Sequence, residues 1–346
     1  MTQQLPLDLA GPAASGRRRL LLVHHGPAAR AALVGAIADA QSGDRLAPVT
    51  VAVPSPLSGL ALRRALGASA GLVNVHFTAL ARVAELLGAP GLAAAGRRPL
   101  AGPLRAEAVH AVLSADPGPL APVAGHPSTT QHLAATFREL ARVPATSLPA
   151  IAARGPRAAA VVRLFESYRA RIADYYDEND LVLAAAAAIA DGTASADETG
   201  HVIVHLPLGL SPGEHTLIEA LATHDRCTVL LGLTGDAEVD RAQAEIHADR
   251  LAAALGPAVV LGPEPAVPIA KAIVSAPDPE DEVRAVVRRL LARSAAGSSL
   301  AGAAILFRAP EPYARLLPEV LDAAGLPWNG SSPRRVADCA AGRVLL

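Results

Sequence analysis

The chain has 346 residues, of which 51% are hydrophobic and 3% aromatic; 31 Lys and Arg stand against 32 Asp and Glu. That length exceeds one typical domain, and a core built mainly of alanine and leucine argues for helices and α/β layers rather than an aromatic-rich sandwich. A net charge of −1 excludes a basic field over the whole molecule, though not a local basic groove.

Residues 1–15 are rich in proline, glycine and alanine and read as disordered. The apolar run after Arg17-Arg18-Arg19 is too short for a signal peptide and ends in His24-His25-Gly26. Three strand–helix units follow: strands at 19–23, 48–53 and 72–77, and helices at 28–40, through Leu66, and at 78–87. Strands alternating with helices predict a parallel sheet covered on both faces. From Leu92 onward the pattern turns helical, with helices expected at 104–113, 128–141, 156–174 and 180–190, separated by proline and glycine. The alanine-rich run 181–190 is too short to span a bilayer. Strands resume at 201–206, 227–231, 259–261 and 272–275. A helix is expected at 279–295, with Val283, Val286, Val287, Leu290 and Leu291 on one face. A last strand–helix unit covers 303–307 and 312–324, and the apolar ending 340–346 suggests that the native polypeptide continues.

The first strand, Leu20-Leu21-Leu22-Val23, leads into a glycine turn and a helix, the setting of a phosphate-binding loop. Set against G-x-x-x-x-G-K-[ST], Gly26 fits the first glycine, while Ala31, Ala32 and Leu33 replace the glycine, lysine and hydroxyl. The one lysine of the chain, Lys271, lies far from this loop, and every other basic residue counted is arginine. Cys227 and Cys339 form no Cys-x-x-Cys pair, which argues against a zinc site or disulfide framework and for a reducing cytoplasm.

The order of segments resembles the N-terminal half of AddB-like proteins of the PD-(D/E)XK nuclease family, whose front half is a superfamily 1 helicase fold without its ATPase. The stretches that carry the resemblance are Val53-Pro54-Ser55-Pro56, Val75-His76-Phe77-Thr78, Asp177-Glu178-Asn179-Asp180-Leu181, and Val202-Ile203-Val204-His205-Leu206 with Ser211-Pro212-Gly213-Glu214. The strongest runs from Asp278-Pro279-Glu280-Asp281-Glu282 through Leu306-Phe307-Arg308 to Gly325-Leu326-Pro327-Trp328. The resemblance implies a RecA-like domain in two parts, 16–91 and 196–270, a helical insertion at 92–195, and the start of a second RecA-like domain at 271–346. It also implies a role in processing DNA ends for recombinational repair, with an AddA-like motor subunit as partner. His205 stands where these helicases place the magnesium-binding aspartate, and no nuclease signature surrounds Lys271. Magnesium and an iron–sulfur cluster are therefore expected only in a C-terminal nuclease half, with no cofactor in this chain.

Gly26, Arg30, Ala31, Ala32, His205, Glu214 and Arg308 are thus candidates for a degenerate nucleotide site, and Ser55, Arg63, Arg64 and Thr78 for a track along single-stranded DNA. Each has a plainer reading. Gly26 serves an ordinary strand–helix turn, Ser55 a turn, Thr78 an N-cap, the arginines a solvated face, and Glu214 a capping box with Ser211. Arg308 would pair with a carboxylate of 278–282, and Tyr168, Tyr175 and Tyr176 would pack the insertion. Adjacent histidines at a strand end point apart, so His24 and His25 do not announce a metal. Two other functions compete: a partner-binding structural domain, and a nucleotide-donor α/β enzyme, which lacks its G-x-G-x-x-G turn.

Overall fold

The computed structural model describes residues 19–69, 71–194, 197, 199–262, 272–330 and 344. The N-terminal segment, Lys271, Cys339 and all of the apolar ending except Val344 lie outside them. The chain forms two compact units, Met1–Ala266 and Val267–Leu346.

The first unit opens with β1 (Arg19–His24), α1 (Pro27–Ala40), β2 (Val49–Ala52), α2 (Pro56–Ser69), β3 (Val75–Thr78) and α3 (Leu80–Ala94). It closes with β6 (His201–His205), α9 (Pro212–Thr223), β7 (Cys227–Leu233), α10 (Ala237–Asp240), a π-helical turn at Arg241–Glu245, α11 (Ile246–Leu255) and β8 (Val259–Leu261). These strands build one six-stranded sheet in the order β3-β2-β6-β7-β1-β8, and every pairing is parallel. The side-chain alternation of a strand sends Leu20 and Leu22 to one face and Leu21 and Val23 to the other. The first face packs against α3, α9 and α11, and the second against α1 and α2. Burial on both faces is why the four central strands, β2, β6, β7 and β1, read as mostly apolar runs. This is the RecA-like α/β class that the sequence leads one to expect.

Between β3 and β6 lie β4 (Arg98–Pro99), α4 (Gly102–Ala115), α5 (Pro127–Ala141), α6 (Leu148–Ala152), α7 (Pro156–Arg171), β5 (Tyr175–Tyr176) and α8 (Glu178–Ala190). Helices α4, α5 and α7 enclose their own core, in which the rings of Phe137 and Tyr168 are 5.0 Å apart. Tyr175 and Tyr176 form a short parallel ladder with Arg98 and Pro99 that the sequence did not announce. The alanine-rich run belongs to α8, which packs into the sheet's helical layer. A Cβ on Gly88 of α3 would lie 2.6 Å from the Leu181 carbonyl oxygen and 2.7 Å from the Ala185 nitrogen, so small residues set the approach of these two helices.

Several boundaries move for local reasons. Asn74 has φ 52°, so β3 starts after this turn rather than at Leu72, and Leu206 with φ 48° ends β6 one residue early. Helix α3 starts after Thr78 and continues through Pro90, beyond the expected stop at Leu87, because Leu92 still finds the core.

The second unit contains α12 (Pro279–Ala295) and α13 (Tyr313–Ala323), joined by a small core of Val283, Val287, Leu316, Leu317 and Leu321. The strands expected at 272–275 and 303–307 are not strands. A strand exists only through its ladder of hydrogen bonds to a neighbour, and neither run has one among the described residues.

Candidate functional site at the carboxyl end of the sheet

In a parallel sheet every strand ends on the same edge. Here that edge gathers His24 at the end of β1 with His25 after it, Ser55 after β2, Thr78 of β3, His205 of β6, and Thr234 after β7. Chain leaving β1 goes to α1 on one face, whereas chain leaving its neighbour β7 goes to α11 on the other. Such a divergence opens a crevice at the strand ends, where open α/β sheets take their ligands.

The glycine turn sits in that crevice. Gly26 has φ 96° and ψ −133° and is the N-cap of α1, with no side-chain cap and Pro27 in the first turn. Arg30 is exposed, while Ala31 is half-buried and Ala32 buried, so the last two face protein rather than a phosphate. His205 lies two strands away, about 10 Å by the usual strand spacing, and on the same face as α1, since it follows the alternation of Ile203. It is 5% exposed, and its Nε2 has no hydrogen-bond partner. Burial, reinforced by the neighbouring His25, pushes its pKa down to about 4. His25 lies over Gly232, whose missing side chain makes room for the ring.

On the other side of β1, His24 is buried with its Nδ1 unpartnered. It faces Asp240, which accepts hydrogen bonds from the Thr234 amide (2.6 Å), the Thr234 hydroxyl (2.7 Å) and the Gly235 amide (3.0 Å). Burial opposes ionisation of Asp240, but these donors and the His24 ring outweigh it and hold the carboxyl below the ordinary range. The donor set does not fit magnesium: that ion requires oxygen ligands, the β6 position offers a neutral imidazole, and Asp240 is committed to its own loop. Among the described residues, no group of three or more His, Cys, Asp and Glu could hold a metal ion.

The remaining candidates divide. Ser55 caps α2 by accepting from the Ser58 amide at 3.1 Å, and its hydroxyl is 2.9 Å from that of Ser58. Arg63 and Arg64 project from α2 into solvent. Thr78 ends β3, where its carbonyl accepts from the Val53 amide, and the N-cap of α3 is Ala79 instead. Glu214 completes a capping box with Ser211, taking the Ser211 amide at 2.7 Å. In the second unit Arg308 is exposed, and the carboxylates proposed for it have other partners. Asp278 caps α12, Glu280 and Asp281 bind Arg284, and Glu282 accepts from the Tyr313 hydroxyl. That unit also holds a cavity of about 570 Å³ lined by Leu290, Ile305, Phe307, Tyr313, Leu317 and Trp328, among others.

Sequence reasoning missed two clusters. The acidic segment is a joint: Asp177 caps α8, Asp180 binds Arg97 and Arg169 at 2.8 Å each, and Glu178 binds Arg105 at 2.7 Å. The partners are about 10 to 80 residues away in sequence, so no local pattern links them. The second cluster, His215 with His247, depends on α11. Its signal was present in the spacing of Ala244, Ala248, Leu251 and Leu255, all buried.

No protein-family model matches the chain, and comparison with curated proteins finds no match. No helix among the described residues is long and apolar enough to cross a membrane.

Proposed function

We propose that the chain is a non-catalytic, helicase-like DNA scaffold that engages DNA ends by their backbone and leaves nucleotide turnover and cutting to other parts of a repair assembly. The observation that carries this reading is the state of the crevice. The glycine turn and the end of β6 converge as nucleotide-handling elements would, yet they offer Ala31, Ala32 and a neutral, buried His205. A phosphate–metal complex needs the opposite, namely a cation and a carboxylate. The DNA-directed candidates left are Arg63 and Arg64, both exposed in the middle of α2, the helix that follows β2.

Binding of a fluorescein-labelled oligo-dT probe, followed by anisotropy across a salt series, tests the proposal. Affinity should fall with salt by a log–log slope of about −0.7 per phosphate contacted on a single strand. Arg63→Glu with Arg64→Glu should weaken binding at least about tenfold and flatten that slope. Salt-independent binding, or none by the folded full chain, would sink the reading.

A second reading has its own support. Leu57 and Leu60 lie one helical turn apart on α2 and are 72% and 43% exposed, and Leu208 in the loop after β6 is 83% exposed. Exposed leucines suit a protein partner better than a phosphate track. Loss of partner capture in Leu57→Ser with DNA binding unchanged would favour it.

A further inference from the structure

Two histidines from different helices meet beside the loop that follows β6. The Nδ1 of His247 on α11 is 3.1 Å from the Nε2 of His215 on α9, and the ring centres are 5.0 Å apart. The chemistry at either end of the pair fixes which nitrogen carries each proton. At one end the Leu210 amide can only donate, and it points at His247 Nε2 from 3.4 Å. At the other end the Ser211 carbonyl can only accept, and it lies 2.9 Å from His215 Nδ1. His247 therefore accepts at Nε2 and carries its proton on Nδ1, which donates to His215 Nε2. His215 carries its own proton on Nδ1, which donates to Ser211. Each ring is neutral and held to one tautomer.

An additional proton has nowhere to go without a collision. On His247 it would face the Leu210 amide, donor against donor. On His215 it would face the Nδ1–H of His247. His215 is only 2% exposed, so water cannot take up an extra N–H there in place; on the half-buried His247 the obstacle is the Leu210 amide itself. We propose that His215 and His247 form a proton-sensitive latch, which in its neutral form ties the 206–211 loop to α11 and opens when either ring is protonated.

The net effect of the surroundings is in the same direction. Burial is the largest influence lowering the affinity of both rings for a proton; for His247, His215 and Arg250 add to it, and for His215, Arg250 does. Glu214 opposes the shift on both rings, and the Ser211 carbonyl opposes it on His215. Beneath the two helices the core contains Leu22, Val182, Leu231 and Leu233 from β1, α8 and β7. Because the folded values lie below the ordinary 6.5, the unfolded or opened state binds more protons. The latch is therefore complete above about pH 6.5 and weakens as pH falls below it. The loop it holds ends at the N-cap of α9 and carries exposed Leu208. Opening would thus alter the sheet edge that contains the candidate site, whatever that site binds.

The test uses the full chain labelled with 15N-histidine. At pH 7.5 long-range 1H–15N spectra should show both rings neutral with the proton on Nδ1. Hydrogen exchange of residues 206–216, corrected for intrinsic rate, should lose about tenfold protection per pH unit within the window for a single proton taken up. His215→Gln with His247→Gln can keep hydrogen bonds across the pair but removes both titrations, and should leave that protection nearly flat. A ring that is cationic or Nε2-protonated at pH 7.5 would overturn the proposal. So would a double variant whose loop still opens as steeply as the native one. If the double variant does not fold, the tautomers in the native chain decide.

Discussion

The two units contain equally apolar runs with opposite fates. In the first, Leu20-Leu21-Leu22-Val23 is held between β7 and β8 and buried on both faces. In the second, Ala303-Ala304-Ile305-Leu306-Phe307 has no ladder among the described residues, and Leu306 is 92% exposed; Ile273, in the other run without one among them, is 94% exposed. Composition sets the tendency toward extended backbone, but the neighbour decides whether a strand forms. A core sealed on both faces should punish small changes that an unpaired run ignores.

The largest effect is expected where the first unit is tightest. Gly88→Val places a branched side chain against the backbone of α8, where even a Cβ would lie 2.6 Å from the Leu181 carbonyl oxygen. Neither helix backbone can yield without disturbing Val83, Ala84 and Leu87 on the same seam. A loss of about 3 kcal/mol or more is expected, read as an earlier midpoint in urea unfolding. A midpoint unchanged from the parent chain would mean that α3 and α8 do not approach this closely.

Next in size is an acid effect confined to the same unit. The folded pKa of His205 is about 4 against an ordinary 6.5, so the unfolded state binds more protons between these values. Stability should be full above about pH 6.5 and fall through the window to about pH 4, by about 3 kcal/mol in all. His205→Leu removes both the titration and the unpartnered Nε2 and should flatten this limb of the stability–pH curve. The His215–His247 pair contributes in the same direction, so part of the slope should remain. An identical slope in His205→Leu would show that the ring is accessible to water.

What the sequence disclosed follows from the range of the physics involved. Strand–helix alternation is local, and it located all six strands of the main sheet with α1, α2 and α3, but it passed over α10 and α11. Glu214 with Ser211 is equally local, and the capping box is present. The end of β6 stood out through the resemblance alone, which sets His205 where these helicases place an aspartate. Its orphaned nitrogen was not legible, because burial there depends on α1 and on the strands either side. The same holds for Asp180, whose two arginines lie 83 and 11 residues before it in the chain. The runs 272–275 and 303–307 are apolar enough to suggest strands, but a strand also requires pairing, which composition does not encode.

The smallest effect tests that last point. Leu306→Ser and Ile273→Ser replace side chains that are almost wholly exposed, so each should shift stability by less than about 0.5 kcal/mol. The exchange with water is nearly the same in the folded and unfolded chain, which leaves little difference to measure. Ile305, one residue earlier, is half-buried against the α12–α13 core and lines the cavity, so Ile305→Ser should cost more than its neighbour by about 1 kcal/mol. The contrast between adjacent positions is the informative quantity. If Leu306→Ser cost as much as Ile305→Ser in the folded chain, residue 306 would be covered on its outer face, and the run would have a neighbour of the kind that makes β1 a strand.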